Sequence, residues 1–143
     1  GVKAQVQTAI DMLRIAEPFT QRGAVRQLEE GGVVIFACGS GSPYFSTDTA
    51  AALRAAEIHA DCLLMAKNID AIYSADPKKD PNAIRYTEVT YRQIISEDLR
   101  AMDMSSTIFC MDNGINGYAF GLADPENIYR AVMGEPVGTA IHN

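Results

Sequence analysis

The sequence has no tryptophan, only two histidines (His59 and His142) and only three cysteines (Cys38, Cys62 and Cys110). The cysteines stand far apart, with no C-x-x-C among them. A structural zinc site needs a denser cluster of ligands. The cysteines read as small buried hydrophobes on strands or helices, and their odd, unclustered count suits a reducing compartment. Cationic charge is also scarce: 12 Lys and Arg against 18 Asp and Glu give a net charge of −6 and a pI near 4.8. An acidic surface repels a phosphodiester backbone, which argues against long nucleic acid as a partner. A small nucleotide is still admissible, because a local site can override the global field. There is no apolar run of about 18 residues to cross a membrane and no signal peptide.

Hydrophobic residues make up 48% of the 143, enough for one domain with one core. The first residue is Gly1, and the chain enters directly into an amphipathic pattern, so it is expected to be part of a longer polypeptide. Val2 to Glu17 reads as a helix and Gly23 to Glu30 as a second, short one. "VVIFAC", Val33 to Cys38, is a continuous apolar, β-branched run and reads as a strand buried on both faces. Thr47 or Asp48 can cap the helix that follows, to about His59. "CLLMA", Cys62 to Ala66, reads as a second buried strand, giving a β-loop-α-β unit with a right-handed crossover.

Beyond it, Ser74 to Asn82 is a polar loop with two prolines. "TYRQ" from Thr90 fits a capping box, Thr107 to Asn113 reads as helical, and "DPEN" from Asp124 starts a helix that runs to Gly134. "GTAIH" reads as a last strand. Alternating strands and helices predict an α/β fold, a three-layer α/β/α sandwich around a mainly parallel sheet, as a single domain over residues 1–143.

Two loops could carry chemistry. Gly39 to Thr47 leaves the C-terminal end of a strand, where open α/β sheets bind ligands. Gly39 and Gly41 allow close backbone approach. Ser40, Ser42, Ser46 and Thr47 offer hydroxyls, and the helix start offers amides and a partial positive charge. The loop is neither a P-loop nor a G-x-G-x-x-G fingerprint. It holds no Lys or Arg before Arg54, and an ordinary βα turn of small residues would look much the same. Tyr44 and Phe45 could stack on a base or tuck into the core. The second loop, "AKNIDAIYSADP", supplies Lys67 as a candidate phosphate contact, and Asn68, Tyr73 and Asp76 as candidates to hold an adenine and its ribose. The competing reading is a solvated connection. Asp103, in "RAMDMSS", reads by itself as a helix cap. Tyr118, Tyr129 and the methionines read as filler.

Read together, "QTAIDM", "AEPF", "VVIFACGSGSPYFSTDTAAALRAAEIHAD", "LLMAKN", "DAIYSADPKKDPNA", "AMDMSS", "CMDNGI" and "NIYRAVMGEPVGT" resemble the C-terminal part of the bacterial uridylate kinases, of the amino acid kinase fold. The likeness covers nearly the whole chain. It implies transfer of the ATP γ-phosphoryl group to UMP, giving UDP and ADP, with Mg2+ riding on the nucleotide. It also implies a cytoplasmic homo-hexamer on which GTP and UTP act as effectors. By resemblance, Ser40, Gly41, Ser42, Pro43, Tyr44, Phe45, Ser46 and Thr47 match the UMP loop. Asn68, Tyr73 and Asp76, with Lys67 before them, match the ATP side, and Asp103 matches a catalytic position near the transferring phosphoryl group. The family's first-strand lysine and Gly-rich loop, which lie in its N-terminal part, have no counterpart in these residues. "KNIDAIY" is one residue shorter than the family pattern and has Ala71 in place of a Gly. Asn116 and Gly117 interrupt the apolar run after "DNGI", so that strand is expected to be weak. Two other readings stay open: a kinase of the same fold acting on a carboxylate or carbamate, and a non-catalytic nucleotide-binding or assembly piece.

Overall fold

The computed structural model describes residues 1–143, which form two compact units, Gly1–Ala60 and Asp61–Asn143. In the first unit, β1 (Ala4–Thr8) lies between β2 (Glu17–Pro18) and β3 (Val33–Ala37), parallel to both. This corrects the helix expected over Val2 to Glu17. The same residues carry a period of two, with Ala4, Val6 and Thr8 on one face and Gln5 and Gln7 on the other. Five residues of β1 pair with β3 in register, from Ala4 opposite Val33 to Thr8 opposite Ala37. That non-local ladder outweighs the local helical pattern. After β1 the chain turns at Met12, whose carbonyl accepts from the Ile15 and Ala16 amides.

The helix α1 (Gln21–Glu29) is capped by Thr20, whose hydroxyl accepts from the Gly23 amide at 3.2 Å. The helix α2 (Thr47–Glu57) is capped by Ser46, which accepts from the Thr49 amide at 3.0 Å. The cap therefore falls one residue before Thr47 and two before Asp48, the expected positions. Phe19 packs edge-on against Phe36, with ring centroids 5.5 Å apart. β3 is not buried on both faces as expected: Val6, Val33 and Ile35 share one exposed side of the sheet, Ile35 at 51%.

In the second unit the sheet order is β4 (Leu63–Lys67), β6 (Gly117–Gly121), β7 (Gly138–His142), β5 (Glu88–Thr90). β4 runs parallel to β6 and β5 parallel to β7, while β6 and β7 are antiparallel. The strands flanking α2 thus do not pair: β3 bonds to β1 and β4 to β6, so the expected crossover unit within one sheet is not formed. In β4 only Met65 is buried. The expected weakness of β6 is also corrected, because it is bonded on both sides and mostly buried. Gly117 is there for space: a Cβ would come 3.2 Å from Tyr91 Oη and 3.3 Å from Met65 Cε.

The helix α3 (Tyr91–Ser96) starts at Thr90, which caps through the Gln93 amide, as "TYRQ" predicts. The helix α4 (Met104–Asp112) begins three residues earlier than Thr107. The helix α5 (Glu126–Val132) has the Asp124 carboxylate on the Glu126 amide at 3.0 Å and a left-handed Gly134 just beyond its end. Tyr91, Ile94, Val89, Ile141, Phe120 and Cys110 fill the core of this unit. Of the cysteines only Cys110 fits the buried reading, since Cys38 and Cys62 are exposed. Tyr118 has a bonding role beyond filler: its hydroxyl donates to the Glu135 carbonyl and accepts from the Gly138 amide.

Candidate functional site

The loop after β3 is built from left-handed backbone. Cys38, Gly39, Gly41 and Tyr44 have φ of 68°, 60°, 75° and 70°. Gly41 is required twice over, because a Cβ there would also stand 2.7 Å from the Ala9 carbonyl oxygen beside the end of β1. The Gly41 amide donates to the Cys38 carbonyl, and the Ser40 hydroxyl accepts from the Ser42 amide at 3.1 Å, closing a tight serine turn. Pro43 then delivers the chain to Tyr44 and Phe45. Both rings face solvent, Tyr44 completely and Phe45 at 59%, so neither fills the core. Ser46 and Thr47 follow at the start of α2, where first-turn amides and the helix dipole favour an anion.

The nearest following cation does not serve this loop. Arg54 is buried at 9%, its guanidinium lies 3.9 Å from the centre of the Phe19 ring, and it is ion-paired with Glu57. A ligand on residues 40–47 would therefore meet hydroxyls, amides and aromatic faces rather than side-chain cations of the same loop.

In the second unit Lys67, Asn68, Tyr73 and Asp76 do come together. They line one cleft of about 500 Å3, with Asp98 and Arg100 in its wall. Lys67 ends β4, and the chain then folds back on itself. The Ser74 amide donates to the Ile84 carbonyl, the Ile84 amide to the Ser74 hydroxyl, and the Tyr86 amide to the Ile72 carbonyl. Beneath this, Ala71 and Ile72 are buried, and the Ile72 amide donates to Thr139 Oγ1 at 2.9 Å. The shortened "KNIDAIY" is thereby anchored to β7.

Tyr73 donates its hydroxyl to Asp70 at 3.0 Å, and Arg85 Nε donates to the same carboxylate at 3.2 Å. Burial, then the Asp70 carboxylate, push the Tyr73 hydroxyl above the usual phenol range. Gly121 makes room for this arrangement, since a Cβ there would lie 2.9 Å from Asp70 Cα. Asp76 shapes its own turn: its Oδ1 accepts from the Lys78 amide at 3.0 Å, and Lys79 stands 3.7 Å from its other oxygen.

Asp103 does not line that cleft. It is the N-cap of α4, with Oδ1 accepting from the Ser106 amide at 3.0 Å and its carbonyl accepting from the Ser106 and Thr107 hydroxyls at 2.9 Å each. Lys78, Asp98 and Arg100 are cleft residues that motif reasoning missed. Their signal is faint, because "SEDLR" reads as the polar end of a helix. Only the left-handed backbone at Asp98, φ 50°, sets the turn apart.

Residues 1–120 match the family model described as the amino acid kinase family. Among solved structures, the UMP kinase of Bacillus anthracis superposes with a TM-score of 0.94 at 31% identity, covering 99% of this chain and 58% of that one. The UMP kinase of Ureaplasma parvum gives 0.94 at 32% identity, with 99% and 61% covered. The uridylate kinase of Archaeoglobus fulgidus gives 0.67 at 34% identity, with 87% and 58% covered. The chain thus spans about three fifths of the length of these relatives. By the extent of the family match and the likeness to these kinases, the chain belongs to the amino acid kinase family.

Proposed function

We propose that this chain carries the two nucleotide loops of a UMP kinase, an enzyme moving the γ-phosphoryl group of ATP onto UMP to give UDP and ADP. The observation that carries the proposal is the TM-score of 0.94, at 31–32% identity, to two proteins that are themselves UMP kinases. In this reading Ser40, Ser42, Ser46 and Thr47 offer the UMP phosphate hydroxyls and the first-turn amides of α2, Gly41 and Pro43 shape the loop around it, and Tyr44 and Phe45 lie against the nucleoside. Lys67, Asn68, Tyr73 and Asp76 hold ATP, and Asp103 stands near the transferring group. No three His, Cys, Asp or Glu side chains gather in a metal-holding cluster. In this reading Mg2+ rides on the nucleotide, held chiefly by phosphate oxygens and water. A cytoplasmic hexamer answering to GTP and UTP belongs to the same proposal. No helix is long and apolar enough to cross a membrane.

The rival reading, a carboxylate or carbamate acceptor, has no use for two solvent-facing aromatic rings beside the acceptor loop. Binding of UMP, CMP, glutamate and aspartate to the 143-residue chain separates the readings. UMP alone should bind, and a preference for either amino acid would refute the proposal. Turnover by these 143 residues alone is expected to be unmeasurable. Unit charges about 4 Å apart repel by roughly 4 kcal/mol at an effective dielectric near 20, and the first-strand lysine and Gly-rich loop that the family brings to this charge have no counterpart in these residues.

A further inference from the structure

We infer that Arg100 is a phosphate-binding residue of the Lys67–Asp76 cleft, meeting the polyphosphate of the nucleotide bound there. This rests on the reading of that cleft as the ATP site. Three observations carry it.

The first is position. Arg100 lines the 500 Å3 cleft together with Tyr73 and Asp76, and it also lines an adjoining depression of about 350 Å3 whose wall continues through Met102, Met104 and Thr107. A nucleotide with its base end at Tyr73 and Asp76 has its phosphates left to place. Arg100 stands where the first hollow meets the second.

The second is how the residue is presented. Leu99 is buried at 6%, with its amide donating to the Ile94 carbonyl at 3.0 Å, and this pins the turn to α3. Asp98 before it takes a left-handed backbone at φ 50°, a conformation costly for a residue with a Cβ. The turn projects Arg100 outward, exposed, instead of letting α3 run on.

The third is charge. The cleft lining holds Lys67, Lys78 and Arg100 against Asp76 and Asp98, a small cationic excess in a chain whose net charge is −6. Of these cations Arg alone has a planar fork able to take two phosphate oxygens at once.

The test is equilibrium binding of Mg-ATP and of adenosine to the 143-residue chain and to Arg100→Ala, Arg100→Lys and Tyr73→Ala, with thermal unfolding of each. Arg100 is exposed, so its variants should melt with the parent. Arg100→Ala should bind ATP roughly tenfold more weakly, the loss typical of one charge-assisted contact, and bind adenosine as before. Arg100→Lys should recover part of the loss. Tyr73→Ala should weaken both ligands. If it does, and Arg100→Ala leaves the ratio of ATP to adenosine affinity unchanged, the assignment of Arg100 is overturned while the cleft stands. If Tyr73→Ala changes neither, or the parent binds neither, the cleft is not the ATP site and the assignment falls with it.

Discussion

Replacing Asp103 should separate two jobs that one carboxylate can do. Its Oδ1 accepts from the Ser106 amide at 3.0 Å, and Ser106 is fully buried, so that amide has no access to water once the carboxylate is gone. Asp103→Ala should therefore cost about 1–2 kcal/mol, the upper part of the range for a lost N-cap, because a buried donor is left without its partner. In a unit of about this size, 1 kcal/mol moves the melting temperature by roughly 4–8 °C. Asp103→Asn keeps an acceptor of equal capping strength and loses only the attraction between a negative charge and the helix N-terminus, about 0.3–1 kcal/mol. The assay is chemical denaturation of the chain and both variants, read by circular dichroism. Asp103→Ala as stable as the parent would refute the cap. Equal losses in the two variants would show that charge, not the hydrogen bond, is what matters. The proposed place beside the transferring phosphoryl group makes a separate demand: in an active longer protein, Asn must fold well and still lose most of its rate.

Gly138→Ala should destabilise by roughly 1–3 kcal/mol, since its Cβ would press far inside van der Waals distance of the Ala119 carbonyl and 2.9 Å from Phe120 Cβ; a denaturation midpoint equal to the parent's would show that β6 and β7 give way freely. At the start of α2, Ser46→Ala should lose about 1 kcal/mol of stability with its cap, whereas, on the proposed reading, Thr47→Val should keep stability and bind UMP about tenfold more weakly; calorimetry that reverses the two effects would reassign the hydroxyls. Tyr91 has its hydroxyl buried and donating to the Ile115 carbonyl at 2.7 Å, and burial, followed by the neighbouring Cys110, pushes its folded pKa well above that of a free phenol. A pKa raised by folding contributes stability that is intact below about pH 10 and drains away as pH rises beyond it. Stability measured from pH 8 to 11 should fall at the alkaline end in the parent and more weakly in Tyr91→Phe.

The strongly biased segments of the sequence were readable because local and non-local preferences agree in them. "VVIFA" is β-branched and apolar and forms β3, "GTAIH" forms β7, and Thr90 is both the expected and the observed cap. Reading failed where the two preferences disagree. Val2 to Glu17 carries an amphipathic helical spacing, yet five of its residues form β1 because β3 lies alongside to receive them. Which strand lies alongside which is a property of the fold, and composition does not encode it. Gly117 shows the same limit from the other side. Glycine usually weakens a strand, but here it lets β6 pass beneath Tyr91 and Met65, a requirement visible only once those side chains are in place.

The candidate sites divide in the same way. Gly39 and Gly41 of the loop after β3 could be picked out because left-handed turns leave a residue-type signature, whereas the cap of α2 was read one or two residues late, at Thr47 or Asp48 instead of Ser46. That Tyr44 and Phe45 lie in solvent could not be, since an aromatic ring serves equally as core or as stacking platform until its surroundings are known. Charge was the hardest to read. Arg54 follows the Gly39–Thr47 loop closely in sequence and is the cation one would assign to it, yet its guanidinium is turned inward onto Phe19 and Glu57. Arg100 stands 24 residues past Asp76 with no motif around it, and yet it lines the same cleft. A side chain as long as arginine is placed by what holds its head or its backbone, here Phe19 and Glu57 on the guanidinium in one case and the buried Leu99 beside a left-handed Asp98 in the other. The scarcity of cations in the loop sequences is therefore a poor guide to the field a phosphate would meet, because that field is set by residues the fold brings in from elsewhere in the chain.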